Sequence, residues 1–213
     1  MIIAPFTVGP FQENSYLLLD EESRDAVFID PGDEGERLVS EVERADARLR
    51  AIWVTHGHLD HVGGIAALHD VWKVPIFLHE LDAPLYGAAS RQAVHYGVPF
   101  RQPPVADQSL AEGDVLTVGT LRFNVIHVPG HAPGHVAFVG HGVVFGGDCL
   151  FAGSIGRTDL PLSNPADLER SLERLAALPS STVVHPGHGP STTIADELAS
   201  NPFLTGVARI LRR

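Results

Sequence analysis

Cysteine is almost absent from this chain. Cys149 is the only one, so no intrachain disulfide can form and a reducing compartment is permitted. Lysine is equally scarce, Lys73 being the only one. Arginine carries the rest of the basic charge, a coding bias from which no function is drawn. Basic charge as a whole is short: 15 Lys and Arg face 26 Asp and Glu, a formal net charge of −11. That argues against a nucleic-acid surface, which needs a basic face. Long apolar runs are also missing. No segment approaches the roughly 20 residues that span a bilayer, so no membrane partner is expected. Met1-Ile2-Ile3-Ala4-Pro5-Phe6 has no basic stretch leading into a long apolar run and does not read as a secretory signal. A cytoplasmic location is the expectation. There is no low-complexity tract, linker or repeat of fixed period. With 213 residues, 44% hydrophobic and 19% charged, the chain reads as one globular domain, 1–213.

What is present is a periodic alternation of short apolar runs with turn residues. Ile2 to Val8, Ser15 to Asp20 and Asp25 to Asp30 read as strands, the last two joined by the polar turn Glu21-Glu22-Ser23-Arg24. Glu34 to Ala45 places Leu38, Val39, Val42 and Ala45 at helical spacing. Leu49 to Val54 is a strand, Ile65 to Trp72 a helix, Pro75 to Leu78 a short strand, and Leu81 to Ala89 a helix. Gly97 to Asp107 is proline-rich and irregular. After Gly113-Asp114 the pattern turns to β: Val115 to Val118 with Leu121 to Val128, then Val136 to Val139 with Val143 to Phe145. Ser163-Asn164-Pro165 opens a helix with a capping side chain and a first-turn proline, running to about Leu178. Thr182 to Val184 is a last strand, and a C-terminal helix spans about Ala195 to Leu211, broken near Asn201-Pro202. Two β-rich halves, each with helices, predict two sheets face to face with helices outside. That is an α/β (α+β) fold built as a four-layer αββα sandwich, with strand-end loops meeting along one edge.

Those strand ends carry the chemistry. Thr55-His56-Gly57-His58-Leu59-Asp60-His61 puts three histidines and an aspartate into six consecutive positions, His56 to His61. It lies between the end of a strand and the start of a helix, where side chains of neighbouring residues can converge. Imidazole suits Zn, Fe, Cu and Ni, and a carboxylate adds a harder oxygen. His56 and His58 can face one cation, Asp60 and His61 a second. A histidine-rich surface loop is the bland alternative, and ligand-type residues at further strand ends weigh against it. Pro129-Gly130-His131-Ala132-Pro133-Gly134-His135 follows another strand. His131, first after the strand, is the better ligand candidate, and His135 would support the loop from behind. Gly146-Gly147-Asp148 leaves a carboxylate at a strand end, able to bridge two cations or, in the plainer reading, to cap a turn. In His185-Pro186-Gly187-His188-Gly189-Pro190 two histidines compete. His188, between glycines, is favoured over His185 as a ligand, and His185 is kept as a supporting residue. With Asp148 bridging, His56, His58 and His131 complete one site, and Asp60, His61 and His188 the other. A shared water fills the gap, and an open water-bearing position marks a catalytic site rather than a structural one.

In these residues the chain resembles the metallo-β-lactamase superfamily, whose hallmark is His-x-His-x-Asp-His. Within it, it looks most like short glyoxalase II-type (hydroxyacylglutathione hydrolase-like) proteins. The segments around His131 and Asp148, Gly153-Ser154-Ile155-Gly156-Arg157-Thr158-Asp159, Gly187-His188-Gly189-Pro190 and Asn201-Pro202-Phe203-Leu204 carry the narrower likeness. The resemblance implies the metallo-β-lactamase αββα fold and metal ligands at the seven positions His56, His58, Asp60, His61, His131, Asp148 and His188. It also implies two divalent ions, zinc first, iron or manganese as alternatives. Glyoxalase II proteins carry a further C-terminal helical region that helps hold glutathione. This chain ends soon after the last metal histidine, so the thiol carrier stays open.

The function expected is a metal-dependent thioesterase acting on a small-molecule hydroxyacyl-thiol ester through a hydroxide held by the metals, with Asp60 and Asp148 orienting it. A thiolate leaves with a pKa near ~8.5, so no strong general acid is needed. Arg157 is a candidate for an anionic part of the substrate, or else pairs with Asp159. Cys149, beside a ligand, reads as a buried inert thiol. The segment Gly87 to Asp107, with Tyr86, His95, Tyr96 and Phe100 in or next to it, is the expected substrate wall, with Tyr96 the named contact, although its aromatics can equally cover the core. Persulfide dioxygenases resemble the chain as well, including Gly156-Arg157-Thr158-Asp159. They hold one iron by residues equivalent to His56, His131 and Asp148. Lactonase or β-lactamase activity is a further possibility on the same scaffold. A purely structural metal site, closed and usually Cys-rich, fits poorly. Oligomeric state is not readable.

Overall fold

The computed structural model describes residues 1–210. Two six-stranded sheets stack face to face. In the first, the strands lie in chain order: β1 (Ile2–Val8), β2 (Glu13–Leu19), β3 (Asp25–Ile29), β4 (Arg48–Trp53), β5 (Ile76–His79) and β6 (Gln108–Leu110). The first three pair antiparallel, and the pairs from β3 to β6 are parallel. The second sheet contains β7 (Val115–Val118), β8 (Leu121–His127), β9 (Val136–Gly140), β10 (Val143–Gly147), β13 (Val183–Pro186) and β14 (Thr192–Thr193), in the order β14-β13-β10-β9-β8-β7. Only β10 and β13 run parallel there. A two-residue hairpin of β11 (Leu150–Phe151) and β12 (Ser154–Ile155) stands apart.

Strand alternation sorts the side chains into layers, because successive residues point to opposite faces. From β2, Tyr16 and Leu18 face the second sheet while Leu17 and Leu19 face the helices; β3 repeats this with Val27 and Ile29 against Ala26 and Phe28. From the other side, Phe123, Val125, Val136, Phe138 and Phe145 close the inter-sheet core. Trp53 packs there against Phe138, ring centroids 5.4 Å apart, and Phe123, 6.0 Å. The outer face of the first sheet is covered by α1 (Gly35–Arg44), through Leu38 and Val42, and α2 (Ile65–Trp72), through Ile65 and Leu68. The outer face of the second is covered by α5 (Pro165–Ala176), through Leu168, Leu172 and Leu175, with Ile194 of α6 (Ile194–Ser200) beside it. The expected αββα sandwich is the observed fold. Sheets buried on both faces explain why strand runs such as Tyr16-Leu17-Leu18-Leu19 read as continuously apolar. Asn164 starts α5 as anticipated, its Oδ1 accepting from the N–H of Ala166 at 3.0 Å and of Asp167 at 3.3 Å, with Pro165 next.

Some expectations are corrected. The helix read as Leu81 to Ala89 is a 3-10 turn (Glu80–Asp82) followed by α3 (Ala83–Gly87). A separate α4 (Ala89–Tyr96) then occupies much of the segment read as substrate loop. Its boundary is a kink at Ala88, which propensity alone does not mark. β6, β11, β12 and β14 were not anticipated; at two or three residues each they are too short for a periodic signal. The C-terminal helix stops at Ser200. Asn201 is extended, with φ −67° and ψ 120°, as a residue before proline must be, and 201–210 holds no helix. Leu211, the expected end of that helix, lies outside the described residues. Among the described residues, no helix is long and apolar enough to cross a membrane.

Candidate metal centre

Five strand ends meet at one edge of the sandwich. β4 leads into Thr55–His61, β3 into Asp30, β8 into the His131 loop, β10 into Asp148 and β13 into the His188 loop. The donor atoms of His56, His58 and His131 lie within 4.8 Å of one another, as do those of Asp60, His61 and His188. His56, His61 and Asp148 form a third such set that joins the two. The Asp148 carboxylate stands in the middle: Oδ1 is 3.4 Å from His61 Nε2, and Oδ2 is 3.5 Å from both His131 Nε2 and His188 Nε2. Asp60 Oδ2 is 3.3 Å from His188 Nε2. The structure thus brings together all seven residues singled out from the sequence.

Each imidazole except His58 has one nitrogen tied to a fixed protein oxygen, which decides which nitrogen points inward. A carbonyl can only accept, so His131 Nδ1 donates to the Arg157 carbonyl at 2.9 Å and His188 Nδ1 to the Gln12 carbonyl at 3.3 Å. His61 Nδ1 meets Asp30 Oδ2 at 3.1 Å. Thr55 Oγ1 donates to Asp30 Oδ2 at 2.6 Å and therefore accepts from His56 Nδ1 at 3.1 Å. The Nε2 atoms of these four rings are left facing the centre, and His58 contributes Nδ1, 2.9 Å from His131 Nε2. His56 Nε2, His61 Nε2 and Asp148 Oδ1 are buried and have no hydrogen-bond partner among the described residues. Orphaned buried polar atoms are rare and costly. Here two ring nitrogens and a carboxylate oxygen converge, and once a cation displaces the proton of His61 they form a donor set that a divalent ion fits.

Charge balance points the same way. Burial pushes His56 well below its ordinary value, His58 down to about 3, and His131 down as well. All three are therefore neutral, the form that binds metal. Burial alone would raise Asp148, but the charge and hydrogen bond of His61 foremost, with His188, outweigh it and hold the carboxyl far below the usual range. Burial likewise opposes charge on His61, and Asp148 and Asp30 overcome it, keeping this ring protonated. A buried imidazolium among carboxylates marks a place where positive charge is favoured.

His135 takes the supporting place expected of it. Its Nδ1 donates to the Val128 carbonyl at 3.1 Å, and its Nε2 accepts the Asp148 N–H at 3.1 Å, fixing the backbone of the central carboxylate. His185 does not take such a place. β13 extends through Pro186, so alternation turns His185 away from the cluster to stack on Phe145, centroids 5.2 Å apart, with Nδ1 at 3.0 Å from Ser191 Oγ. Arg157 pairs with Asp159 through two contacts of 2.6 and 2.8 Å. It lines the cleft over the cluster, and its backbone carbonyl holds His131. Cys149 is fully buried, and burial drives its thiol far up.

A cleft of about 920 Å³ opens onto His58, Asp60, His131, Asp148 and His188. Leu85 and Ala88 with α4's Arg91, His95 and Tyr96 form one wall, and Ile155, Leu160 and Leu162 another. Tyr96 stands in the wall, edge-on to Phe11 at 5.4 Å. Tyr86 and Phe100 turn to the core instead, the Tyr86 hydroxyl donating to the Pro104 carbonyl at 2.7 Å.

Sequence reasoning missed the residues that hold the ligands: Asp30, Thr55, Asn14 and Asp82. Asp30 had a legible signal, since it follows a strand and precedes Pro31-Gly32, a strand-end aspartate like Asp148. Asn14 and Asp82 had none.

The sequence profile of the metallo-beta-lactamase superfamily matches residues 8–188. The chain belongs to that superfamily. Hydroxyacylglutathione hydrolase GloC of Haemophilus influenzae is 40% identical over 209 residues, covering 96% of this chain and 98% of that protein. Among solved structures, the BLEG-1 B3 metallo-beta-lactamase superposes with a TM-score of 0.90 at 38% identity, over 96% of this chain and 100% of its own. TTHA1623 in a di-iron-bound form gives 0.88 at 47% identity, over 94% of this chain and 100% of its own. These metallo-β-lactamase relatives carry different names on one fold, so the activity has to be argued from the site.

Proposed function

We propose that this protein is a metal-dependent hydrolase, and specifically a thioesterase acting on a small hydroxyacyl-thiol ester. One observation carries the reading: two sets of inward-facing donors share Asp148 at the base of a largely apolar cleft. The near full-length likeness to a protein named hydroxyacylglutathione hydrolase supports the choice of bond.

His56, His58 and His131 would hold one divalent cation, and Asp60, His61 and His188 the other, with Asp148 between them. Such cations supply Lewis acidity, polarising a carbonyl and bringing the pKa of water toward neutrality. The residues of the chain do the rest. Asp60 and Asp148 converge on His188 Nε2 at 3.3 and 3.5 Å, where carboxylate oxygens can accept a hydrogen bond from an attacking water and fix its direction. His135 keeps the Asp148 backbone from turning. Phe11, Leu59, Leu85 and Ile155 line the cleft, seat the apolar part of the ester and exclude bulk water. Cys149 is buried and strongly protonated, so it does not compete as nucleophile. The thiolate leaves without a strong acid, its own pKa being near ~8.5. A one-iron oxygenation, the alternative chemistry, uses His56, His131 and Asp148 and leaves Asp60, His61 and His188 without a task.

The test is a panel of lactoyl-thiol esters on several thiol carriers, with protein reconstituted separately with zinc, iron and manganese. Hydrolysis that disappears in His58→Ala is expected. No hydrolysis on any carrier with any metal, or oxygen uptake with a persulfide in its place, overturns the assignment.

A further inference from the structure

The loop bearing His56 and His58 leaves the first sheet, and the loop bearing His131 leaves the second. One backbone bond joins them, from Val136 N–H to the Thr55 carbonyl at 2.9 Å. A further tie is a side chain from a third place. Asp82, in the turn after β5, is 0% exposed. Its Oδ2 accepts the Gly57 N–H at 2.7 Å, and its Oδ1 accepts the Gly134 N–H at 2.5 Å. Gly57 lies between His56 and His58; Gly134 lies in the turn that begins at His131. Both glycines are shaped to this contact. A Cβ at 57 would stand 2.8 Å from the Asp82 carbonyl oxygen, and one at 134 would stand 2.7 Å from the Asp82 nitrogen.

We propose that Asp82 is the positioning residue for the His56/His58/His131 half of the centre, its carboxylate setting the spacing between the two loops. The inference rests on the metal-centre reading above. A carboxylate is the group that fits, because both oxygens accept and each faces one backbone N–H. An amide presents one acceptor and one donor, so it would leave one loop facing an NH₂ group. The fold keeps this carboxylate although burial pushes it up to about 6.

The other half of the centre hangs from a different anchor. Asn14 of β2 donates its backbone N–H to the Gly187 carbonyl at 2.7 Å and its Nδ2 to the Gly189 carbonyl at 2.7 Å. The Tyr16 hydroxyl donates to the Pro186 carbonyl at 2.7 Å. These bonds hold the His188 loop and touch neither loop that Asp82 clamps. The two halves are therefore separable by mutation.

The experiment strips metal from the full chain and titrates Co²⁺, following its visible ligand-field bands together with equilibrium dialysis. Asp82→Asn is expected to bind one ion about 10–100-fold more weakly, the range for loss of a partner behind a metal ligand, with the second ion unchanged. Combining it with His131→Ala should add nothing further, whereas its effect should add fully to that of His188→Ala. Asp82→Ser, which keeps one acceptor, serves if Asp82→Asn does not fold by circular dichroism. Wild-type affinity and bands for both ions in the variants, or equal weakening of both ions, overturns the proposal while leaving the metal reading intact. A wild-type chain that takes up no ion removes both.

Discussion

Metal removal should cost this fold a large part of its stability, and the size of the loss follows from the donor atoms. His56 Nε2, His61 Nε2 and Asp148 Oδ1 are buried without hydrogen-bond partners among the described residues. An unsatisfied buried polar group costs about 1–3 kcal/mol; His56 Nε2 burdens the metal-free chain in full, while His61 Nε2 and Asp148 Oδ1, 3.4 Å apart, offset part of each other's cost. Linkage bounds what a bound ion returns: free metal at 100 times its Kd stabilises by about 2.7 kcal/mol per site, hence about 5 kcal/mol for two independent sites. With a urea m-value of about 3 kcal/mol/M, the unfolding midpoint should rise by nearly ~2 M when Zn²⁺ replaces chelator. Urea titrations followed by circular dichroism, at matched ionic strength with and without excess Zn²⁺, measure this directly. The control is His58→Ala combined with His188→Ala, in which the metal-induced rise should shrink sharply. A midpoint that does not move in the wild type, or moves as far in the double variant, would refute the account of these atoms as a metal's donors.

Three further outcomes are expected. Gly187→Ala should abolish metal uptake and hydrolysis while leaving circular dichroism unchanged, because its Cβ would lie 2.2 Å from Asp148 Oδ1 and 2.7 Å from His61 Cε1; activity within a few-fold of wild type contradicts this. His135 is depressed to about 3 by burial, so between pH 3 and 6.5 the unfolded chain binds a proton that the folded one refuses. Its contribution to stability is full above pH 6.5 and falls by about 1.4 kcal/mol per pH unit below it; the slope of metal-free stability against pH over that window should flatten in His135→Gln. Cys149 should resist a disulfide reagent at pH 8 in the native chain and react at once in guanidinium, since the thiolate is the reactive form and burial suppresses it.

Much of this molecule was legible in local patterns. The strands from Ile2 to Asp30 and from Val115 to Phe145 alternate or run apolar as their layers require, and Asn164-Pro165 announces its helix. α4 was not legible, because Ala89–Tyr96 follows directly on another helix and offers Arg91, His95 and Tyr96 to a cleft rather than a full apolar stripe to the core. The ligand residues could be named because metal binding restricts residue type and because strand-end loops concentrate it. Residue type does not decide between His185 and His188; β13 does, because it runs on through Pro186 and alternation turns His185 onto Phe145.

Sequence alone determined the chemistry available: imidazoles and carboxylates at strand ends, a lone cysteine and a formal net charge of −11. Tertiary structure decided which nitrogen of each ring faces inward and what holds it there. Asp30, Asn14 and Asp82 act across separations of 25 or more residues, on Thr55, Gly189 and Gly57. A hydrogen bond of that kind leaves no periodic trace, because its geometry exists only once two sheets have stacked and brought their loop ends to a common edge.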